Sequence, residues 1–109
     1  MDSKEGIERC KRMLEHYPNN QLARFSLGKA YFDSGQVGPA KEQFEVALAG
    51  KPDWMVVQIL IGKCELAVGN RAAAKAAFER ARQLAIEQHH EGPQAEMEEL
   101  LREIAPGAD

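Results

Sequence analysis

The sequence has little of what marks a membrane protein or a disulfide-stabilised secreted protein. Only 6% of its 109 residues are aromatic, and two cysteines are too few for a disulfide framework or a zinc knuckle. No apolar run approaches the ~20 residues that a transmembrane helix needs. The first residues also lack the basic and then apolar segments of a secretion signal. These absences predict a reduced, soluble, cytoplasmic protein without a membrane partner.

The charge is small and unevenly distributed. The formal net charge is −3, which argues against a nucleic-acid partner because such proteins usually carry clustered basic charge. Residues 21–86 contain nine basic and six acidic residues, whereas residues 87–109 contain one basic and seven acidic residues. A mildly basic centre is therefore followed by an acidic C-terminal end.

No pattern for catalysis, phosphate binding or metal binding is present. There is no glycine-rich phosphate loop, no zinc-binding histidine pair and no nucleophile motif. His89 and His90 are adjacent, so on a helix they point about 100° apart and do not readily share one ion. Cys10 and Cys64 fall on apolar faces, where a free cysteine acts as a small hydrophobe. We predict no catalytic residue, no metal site and no cofactor, and therefore no enzyme.

The strongest pattern is an internal repeat of 34 residues. With this shift Leu27 aligns with Ile61, and Gly28 aligns with Gly62, without any gap. The other matching pairs are Pro18/Pro52, Lys29/Lys63, Gly35/Gly69, Ala40/Ala74, Lys41/Lys75, Phe44/Phe78 and Ala47/Ala81. A fixed period of this length predicts stacked copies of one supersecondary unit.

This period and these residue types resemble the tetratricopeptide repeat (TPR) family. The family pattern is Leu-Gly and an aromatic residue on a first helix, then Ala, Phe, Ala and Pro on a second helix and its exit. The first copy supplies it with Leu27, Gly28, Tyr31, Ala40, Phe44, Ala47 and Pro52. The second copy departs from it at Glu65 and Ile86, which replace the aromatic residue and the proline. The resemblance implies an all-α fold: a short right-handed α-solenoid of antiparallel helix pairs, with about six helices.

Capping residues and glycines predict where the helices begin and end. Either Asn19 or Asn20, and also Asp53 and Asn70, are suited to capping helix N-termini. Gly35, Gly50 and Gly69 stand where a helix would end in a left-handed residue. The predicted helices are 21–33, 39–49, 54–68 and 71–89.

Two glycines, Gly28 and Gly62, lie in the middle of predicted helices. Gly costs about 1 kcal/mol relative to Ala at such a position. We therefore expect a partner helix to approach them too closely for a side chain, with Ala40 and Ala74 on the other side of each contact.

The organisation predicted is a single domain over residues 1–109. It consists of a half-repeat helix (5–17), repeat 1 (20–53), repeat 2 (54–88) and a C-terminal capping helix (93–105). In the half-repeat, Gly6, Cys10 and Met13 occupy the slots of Ala40, Phe44 and Ala47, but there is no first helix to precede them. The sequence leaves open whether the chain is a whole protein or a fragment of a longer array.

The family resemblance implies a protein-interaction module that binds a peptide or helix in an apolar concave groove. The residues at groove positions are Leu22, Phe25, Lys29, Phe32, Val56, Ile59, Lys63 and Leu66. The two lysines would attract a carboxylate of the ligand. Phe25 and Lys29 stand where chaperone-binding members have the lysine and asparagine of a carboxylate clamp, so we expect no such clamp.

Two alternatives remain at this stage. Several groove residues could be core residues, since burial is the usual fate of such side chains. The chain could also be a self-associating structural unit, a homodimer in which a second copy covers the half-repeat or the acidic last helix lies across the basic groove of another molecule.

Overall fold

The computed structural model describes residues 3–104, which form six α-helices and no strand. The helices are α1 (Ser3–His16), α2 (Gln21–Asp33), α3 (Val37–Gly50), α4 (Met55–Ala67), α5 (Arg71–Glu87) and α6 (Glu91–Ile104). The predicted all-α fold with six helices is confirmed. Residue 105, the last of the predicted capping helix, lies outside the described residues.

The chain divides into two compact units, Met1–Pro52 and Asp53–Asp109. We call them the N-terminal unit and the C-terminal unit. In the first, α2 packs against both α1 and α3; in the second, α5 packs against both α4 and α6. The boundary lies one residue before the junction predicted between the two repeats.

In the N-terminal unit α2 and α3 pack through a contact between a glycine and an aromatic ring. A Cβ atom added to Gly28 would lie 2.6 Å from Cε1 of Phe44, closer than two carbon atoms can approach. The Phe44 ring is completely buried, so it cannot move aside freely. The close approach expected at Gly28 is therefore present, but the nearest atoms belong to Phe44 and not to Ala40.

The C-terminal unit repeats this contact between α4 and α5. A Cβ atom on Gly62 would overlap the ring of Phe78, and Phe78 is also completely buried. Ala74, which we expected opposite Gly62, is buried in the surrounding core. Helix α6 adds Met97 and Ile104 to that core, so the predicted capping helix closes the unit with its apolar side.

The helix N-termini agree with the prediction only in part. The side chain of Asn20 accepts a hydrogen bond from the backbone N–H of Ala23 at 3.0 Å and caps α2 as expected. Trp54, not Asp53, is the residue before α4, and the side chain of Asn70 makes no capping hydrogen bond to α5. Helix α3 begins two residues earlier than predicted, after Gln36.

Three helices end with the same hydrogen-bonded turn. The backbone N–H groups of Gln36, Asn70 and His90 donate to the carbonyls of the fifth residue before them, at 2.8, 2.9 and 2.8 Å. This Schellman turn needs a left-handed residue, which is Gly35 in the first turn and Gly69 in the second, both at φ +83°.

In the third turn His89 takes the left-handed conformation, at φ 58°. A side chain makes this conformation unfavourable. Gly50, predicted to play such a role, is the last residue of α3 and has no positive φ. Its lack of a side chain instead leaves room for the Gln21 amide, 2.7 Å from where a Cβ would be.

In the part of the chain that the structure describes, none of the helices is both long enough and apolar enough to cross a membrane.

We expect Gly28→Ala to destabilise the protein, because the new methyl group overlaps the Phe44 ring. Overpacking of a core costs about 1–3 kcal/mol. Gly38→Ala is the matched control, since a Cβ on this helical glycine of α3 meets nothing within 4 Å. Urea denaturation should place Gly28→Ala about 1–3 kcal/mol below Gly38→Ala in unfolding free energy. Equal values would show that Gly28 is not needed for the contact.

We expect His89→Gly to stabilise the protein by about 0.5–1 kcal/mol. The gain is relief of the left-handed strain, reduced by the greater freedom of glycine in the unfolded chain. His90→Gly is the control, because His90 has no positive φ and the change removes no such strain. Thermal unfolding of the two variants measures the difference; a lower melting temperature for His89→Gly than for the wild type would contradict it.

Candidate protein-binding surfaces

Helix α2 exposes part of the face predicted to contact a ligand. Leu22 is 71% exposed, although it is a large aliphatic side chain. Phe25 and Phe32 are half-buried, and the Phe25 ring packs against Phe44 with 6.1 Å between ring centroids. Leu22 is thus available to a ligand, whereas Phe25 belongs partly to the core of the N-terminal unit.

Helix α4 shows a similar division. Val56 and Leu66 are 45% and 37% exposed. Ile59 is only 8% exposed and lies in the same hydrophobic cluster as Phe78 and Met97. Ile59, predicted as a groove residue, is therefore a core residue of the C-terminal unit.

Both predicted groove lysines have an acidic neighbour within their own unit. Lys29 Nζ lies 3.5 Å from Asp33 Oδ1, one turn further along α2. Lys63 Nζ lies 3.4 Å from Glu96 Oε2 on α6. Such exposed ion pairs contribute at most about 1 kcal/mol, so a ligand carboxylate could displace them. The lysines are still weaker attractors than two free cations would be.

Helix α6 is held by ionic as well as apolar contacts. Arg82 Nε on α5 donates to Glu98 Oε2 at 3.0 Å, and Gln94 donates to the same oxygen. The hydrogen bond from Arg82, with a smaller contribution from Gln94, holds the pKa of Glu98 below its ordinary value. Arg71 Nη2 also donates to the carbonyl of Ile104 at the end of α6.

These contacts change the interpretation of the acidic end. Glu98 joins α6 to α5, and Glu99 pairs with Arg102 on its own helix. Glu96 joins α6 to α4. The acidic residues thus fasten α6 within the C-terminal unit in addition to keeping its surface polar.

The amino-acid sequence places the chain in a family. No model of a protein family matches it. A curated relative does: the TPR repeat-containing protein PA0015 of Pseudomonas aeruginosa is 36% identical over 92 residues, which are 84% of this chain and 86% of the relative. The chain belongs to the tetratricopeptide repeat family.

Solved structures agree with this assignment. The solution structure of the Bordetella parapertussis protein BPP2914 matches with a TM-score of 0.83 and 31% identity, over 93% of this chain and 88% of that one. The first TPR of Spaghetti (RPAP3), bound to the HSP90 peptide SRMEEVD, matches with a TM-score of 0.81 and 21% identity, over 97% and 79%. The TPR2B domain of yeast Sti1, in complex with pHsp70, has a TM-score of 0.86 and 15% identity, over 96% and 84%. The last two show the shared fold alone.

In TPR terms, α2 with α3 and α4 with α5 are two helix pairs. Helix α1 takes the position of a second helix, and α6 follows the second pair. The first helices carry corresponding residues 34 positions apart: Leu22 and Val56, Lys29 and Lys63, Phe32 and Leu66. Each thus presents an aliphatic residue, a lysine and a larger apolar residue along one stripe.

The N-terminal unit also contains a pocket of about 270 Å³ between α1 and α2 that we did not predict from the sequence. It is lined by Arg9, Cys10, Met13, Asn20, Leu22, Ala23 and Ser26. Leu22 is the only predicted groove residue in its lining. The signal that could have revealed the pocket is Cys10, a small residue at the repeat position that Phe44 and Phe78 hold.

Neither cysteine nor histidine chemistry forms a site in residues 3–104. Cys10 and Cys64 are free thiols, and burial raises the pKa of Cys10 despite the opposing effect of Arg9. No group of three metal-ligating side chains occurs in this part of the chain. His89 and His90 belong to the turn between α5 and α6.

We predict that Glu98→Gln destabilises the protein at neutral pH but not in acid. The lowered pKa means that ionised Glu98 stabilises the fold above the ordinary carboxyl range, near 4.5. This contribution is lost as the pH falls through the lower pKa of the folded state. Urea denaturation of wild type and variant should therefore differ at pH 7 and converge towards pH 3.

Glu79→Gln is the control, because Glu79 is an exposed glutamate on α5. It should leave the pH dependence of unfolding unchanged. A constant difference between Glu98→Gln and wild type across the pH range would show that the carboxylate charge does not fasten α6.

Proposed function

We propose that this protein is an adaptor that binds a peptide or helix of another protein in the apolar concave groove typical of its family. TPR proteins are generally scaffolds rather than enzymes, and we propose no catalytic activity for this one. The observation that carries the proposal is the repeated stripe: Leu22 on α2 and Val56 on α4 are exposed aliphatic residues at equivalent positions. Isolated exposed apolar residues are common, whereas these two recur at the same position of both repeats.

The ligand suited to these stripes is mainly apolar. The exposed aliphatic residues provide area that a ligand side chain can cover, while Lys29 and Lys63, 43% and 39% exposed, can still contact an acidic group. Because each lysine already has a carboxylate neighbour, apolar contact contributes more to affinity than charge does. We propose a short amphipathic segment as the ligand class.

We do not propose that this chain binds the HSP90 peptide SRMEEVD, to which the first TPR of Spaghetti is bound. Phe25 stands at the position of the clamp lysine. It has no charge to pair with a carboxylate, and it is half-buried against Phe44. Lys29 takes the position of the clamp asparagine. The peptide SRMEEVD is accordingly a useful negative probe for this chain.

A homodimer is the alternative function. It has an observation in its favour, because Met13 of α1 and Tyr17, which follows this helix, are 42% and 63% exposed. Light scattering distinguishes the two: a monomer at micromolar concentration removes the dimer, whereas a stable dimer favours a structural unit. The free cysteines fit a reducing cytoplasm, which we retain as the proposed location.

To test the adaptor function, peptides of 16 residues are selected from a display library against the whole chain. The Kd of an enriched peptide is then compared for Val56→Asp and Val46→Asp. Both valines are exposed to the same degree, 45% and 48%, but Val46 lies on α3, outside the stripes. We expect Val56→Asp to weaken binding about ten-fold or more, because a central apolar contact contributes 1.4 kcal/mol or more.

Val46→Asp should leave the affinity unchanged, and SRMEEVD should not compete with the selected peptide. Failure of the library to yield a binder, or an equal loss of affinity in both variants, would contradict the adaptor proposal. Competition by SRMEEVD would contradict only the exclusion of a carboxylate clamp.

A further inference from the structure

Helix α1 is a second helix whose expected partner face is left accessible. In the two complete repeats the slots of Gly6, Cys10 and Met13 hold residues that pack against a first helix. In α3 these are Ala40, Phe44 and Ala47; in α5 they are Ala74, Phe78 and Ala81. All six are completely buried. In α1, Cys10 is half-buried and Met13 is 42% exposed; Tyr17, the residue after the helix, is 63% exposed.

The C-terminal unit shows what normally covers this face. There α5 and α6 correspond to α1 and α2, and α4 packs against α5. Met55 and Ile59 of α4 lie in one cluster with residues of α5 and α6, and Lys63 reaches Glu96 on α6. In the N-terminal unit the equivalent position is the pocket of about 270 Å³ between α1 and α2.

The slot residue of α1 is smaller than the corresponding residues of α3 and α5. Phe44 and Phe78 require a glycine on the opposing helix because the ring fills the space. Cys10 stands in the same slot and is much smaller. A helix that covers α1 can therefore carry alanine or a larger apolar residue where α2 and α4 carry Gly28 and Gly62.

The charge at the pocket indicates a second requirement for a helix that binds there. In repeat 1, Arg24 on the first helix donates to Gln43 on the second helix at 2.9 Å. The residue 34 positions before Gln43 is Arg9, which is exposed and lines the pocket. An incoming helix would contact α1 as α2 contacts α3. An acidic residue at its position equivalent to Arg24 would lie opposite Arg9. The positions equivalent to Leu27 and Gly28 follow three and four residues later.

The geometry points to a docking site for a helix of a partner protein at the pocket between α1 and α2. The helix is amphipathic and has the pattern acidic residue, two intervening residues, aliphatic residue, then alanine or a larger apolar residue. Its aliphatic side covers Cys10 and Met13, and its acidic residue pairs with Arg9. This site is distinct from the α4 stripe and stands without the function proposed above.

The probe is a synthetic peptide of residues 53–70, which contain α4, the helix that covers the equivalent face in the C-terminal unit. It carries Gln58→Glu to face Arg9, Gly62→Ala to face Cys10, and Cys64→Ser to remove its thiol. Fluorescence anisotropy with the whole chain should give a Kd of about 100 μM or tighter. Bound peptide should also slow alkylation of Cys10, while the fully buried Cys64 stays unreactive.

Variants of the chain and of the probe locate the interaction. Met13→Asp should weaken binding about ten-fold, whereas Val46→Asp on α3 should not. Arg9→Glu should weaken it about five-fold, as expected for an exposed ion pair, and a probe with Gln58→Lys should bind Arg9→Glu more tightly than wild type. This exchange of charges separates recognition from any loss of folding.

Three results would overturn the site: no binding of the probe at 1 mM, a Kd that Met13→Asp leaves unchanged, or a dimer of the chain that Met13→Asp dissociates. The last result would mean that a second copy covers α1. Val56→Asp should not affect the probe, so this experiment and the peptide selection above can fail independently.

Discussion

The fold depends on the close contact between a helical glycine and a buried phenylalanine ring, Gly28 with Phe44 and Gly62 with Phe78. Glycine weakens a helix, so the contact persists only because the ring fills the space that a side chain would take. The ring in turn fixes the distance and the axial register of the two helices. The two contacts lie 34 residues apart along the chain, so the sequence repeat and the helix packing have the same period.

The same repeat position occurs three times along the chain, and its residue is not equally buried each time. Phe44 and Phe78 are covered completely, whereas Cys10 stands in the slot without a ring and is only half-buried. The two units thus end differently. The C-terminal unit is closed by α6 through Met97, Ile104 and ionic contacts, whereas α1 leaves large side chains accessible.

The repeat was sufficient to predict the fold, because the period, the paired glycines and the phenylalanines are local features of the sequence. The residues at which helices begin and end were less predictable, because several residue types can cap a helix or form the turn after it. His89 takes a conformation that glycine has in the other two turns, and Gly50 serves to accommodate Gln21. Neither outcome follows from residue type, because both depend on which side chains lie nearby in space.

Prediction of the candidate site was limited for the same reason. Leu22 and Val56 are exposed, and Ile59, at the same kind of position, is buried. The difference arises from α6, which adds Met97 to the cluster around Ile59. A repeat pattern specifies contacts within and between copies, but α6 departs from the pattern, so its effect on α4 could not be read from the 34-residue period.

Helix α6 also determines how charge contributes to recognition. The acidic end and basic centre suggested attraction between molecules, yet Glu96 neutralises Lys63 and Glu98 binds Arg82 within one unit. A ligand must compete with these carboxylates, which are already held close to their partners. Coulomb attraction at a protein surface is weak and screened by salt. In the function that we propose, selectivity among partners therefore comes from the shape of the exposed aliphatic residues, and charge serves to exclude a ligand whose own charge is misplaced.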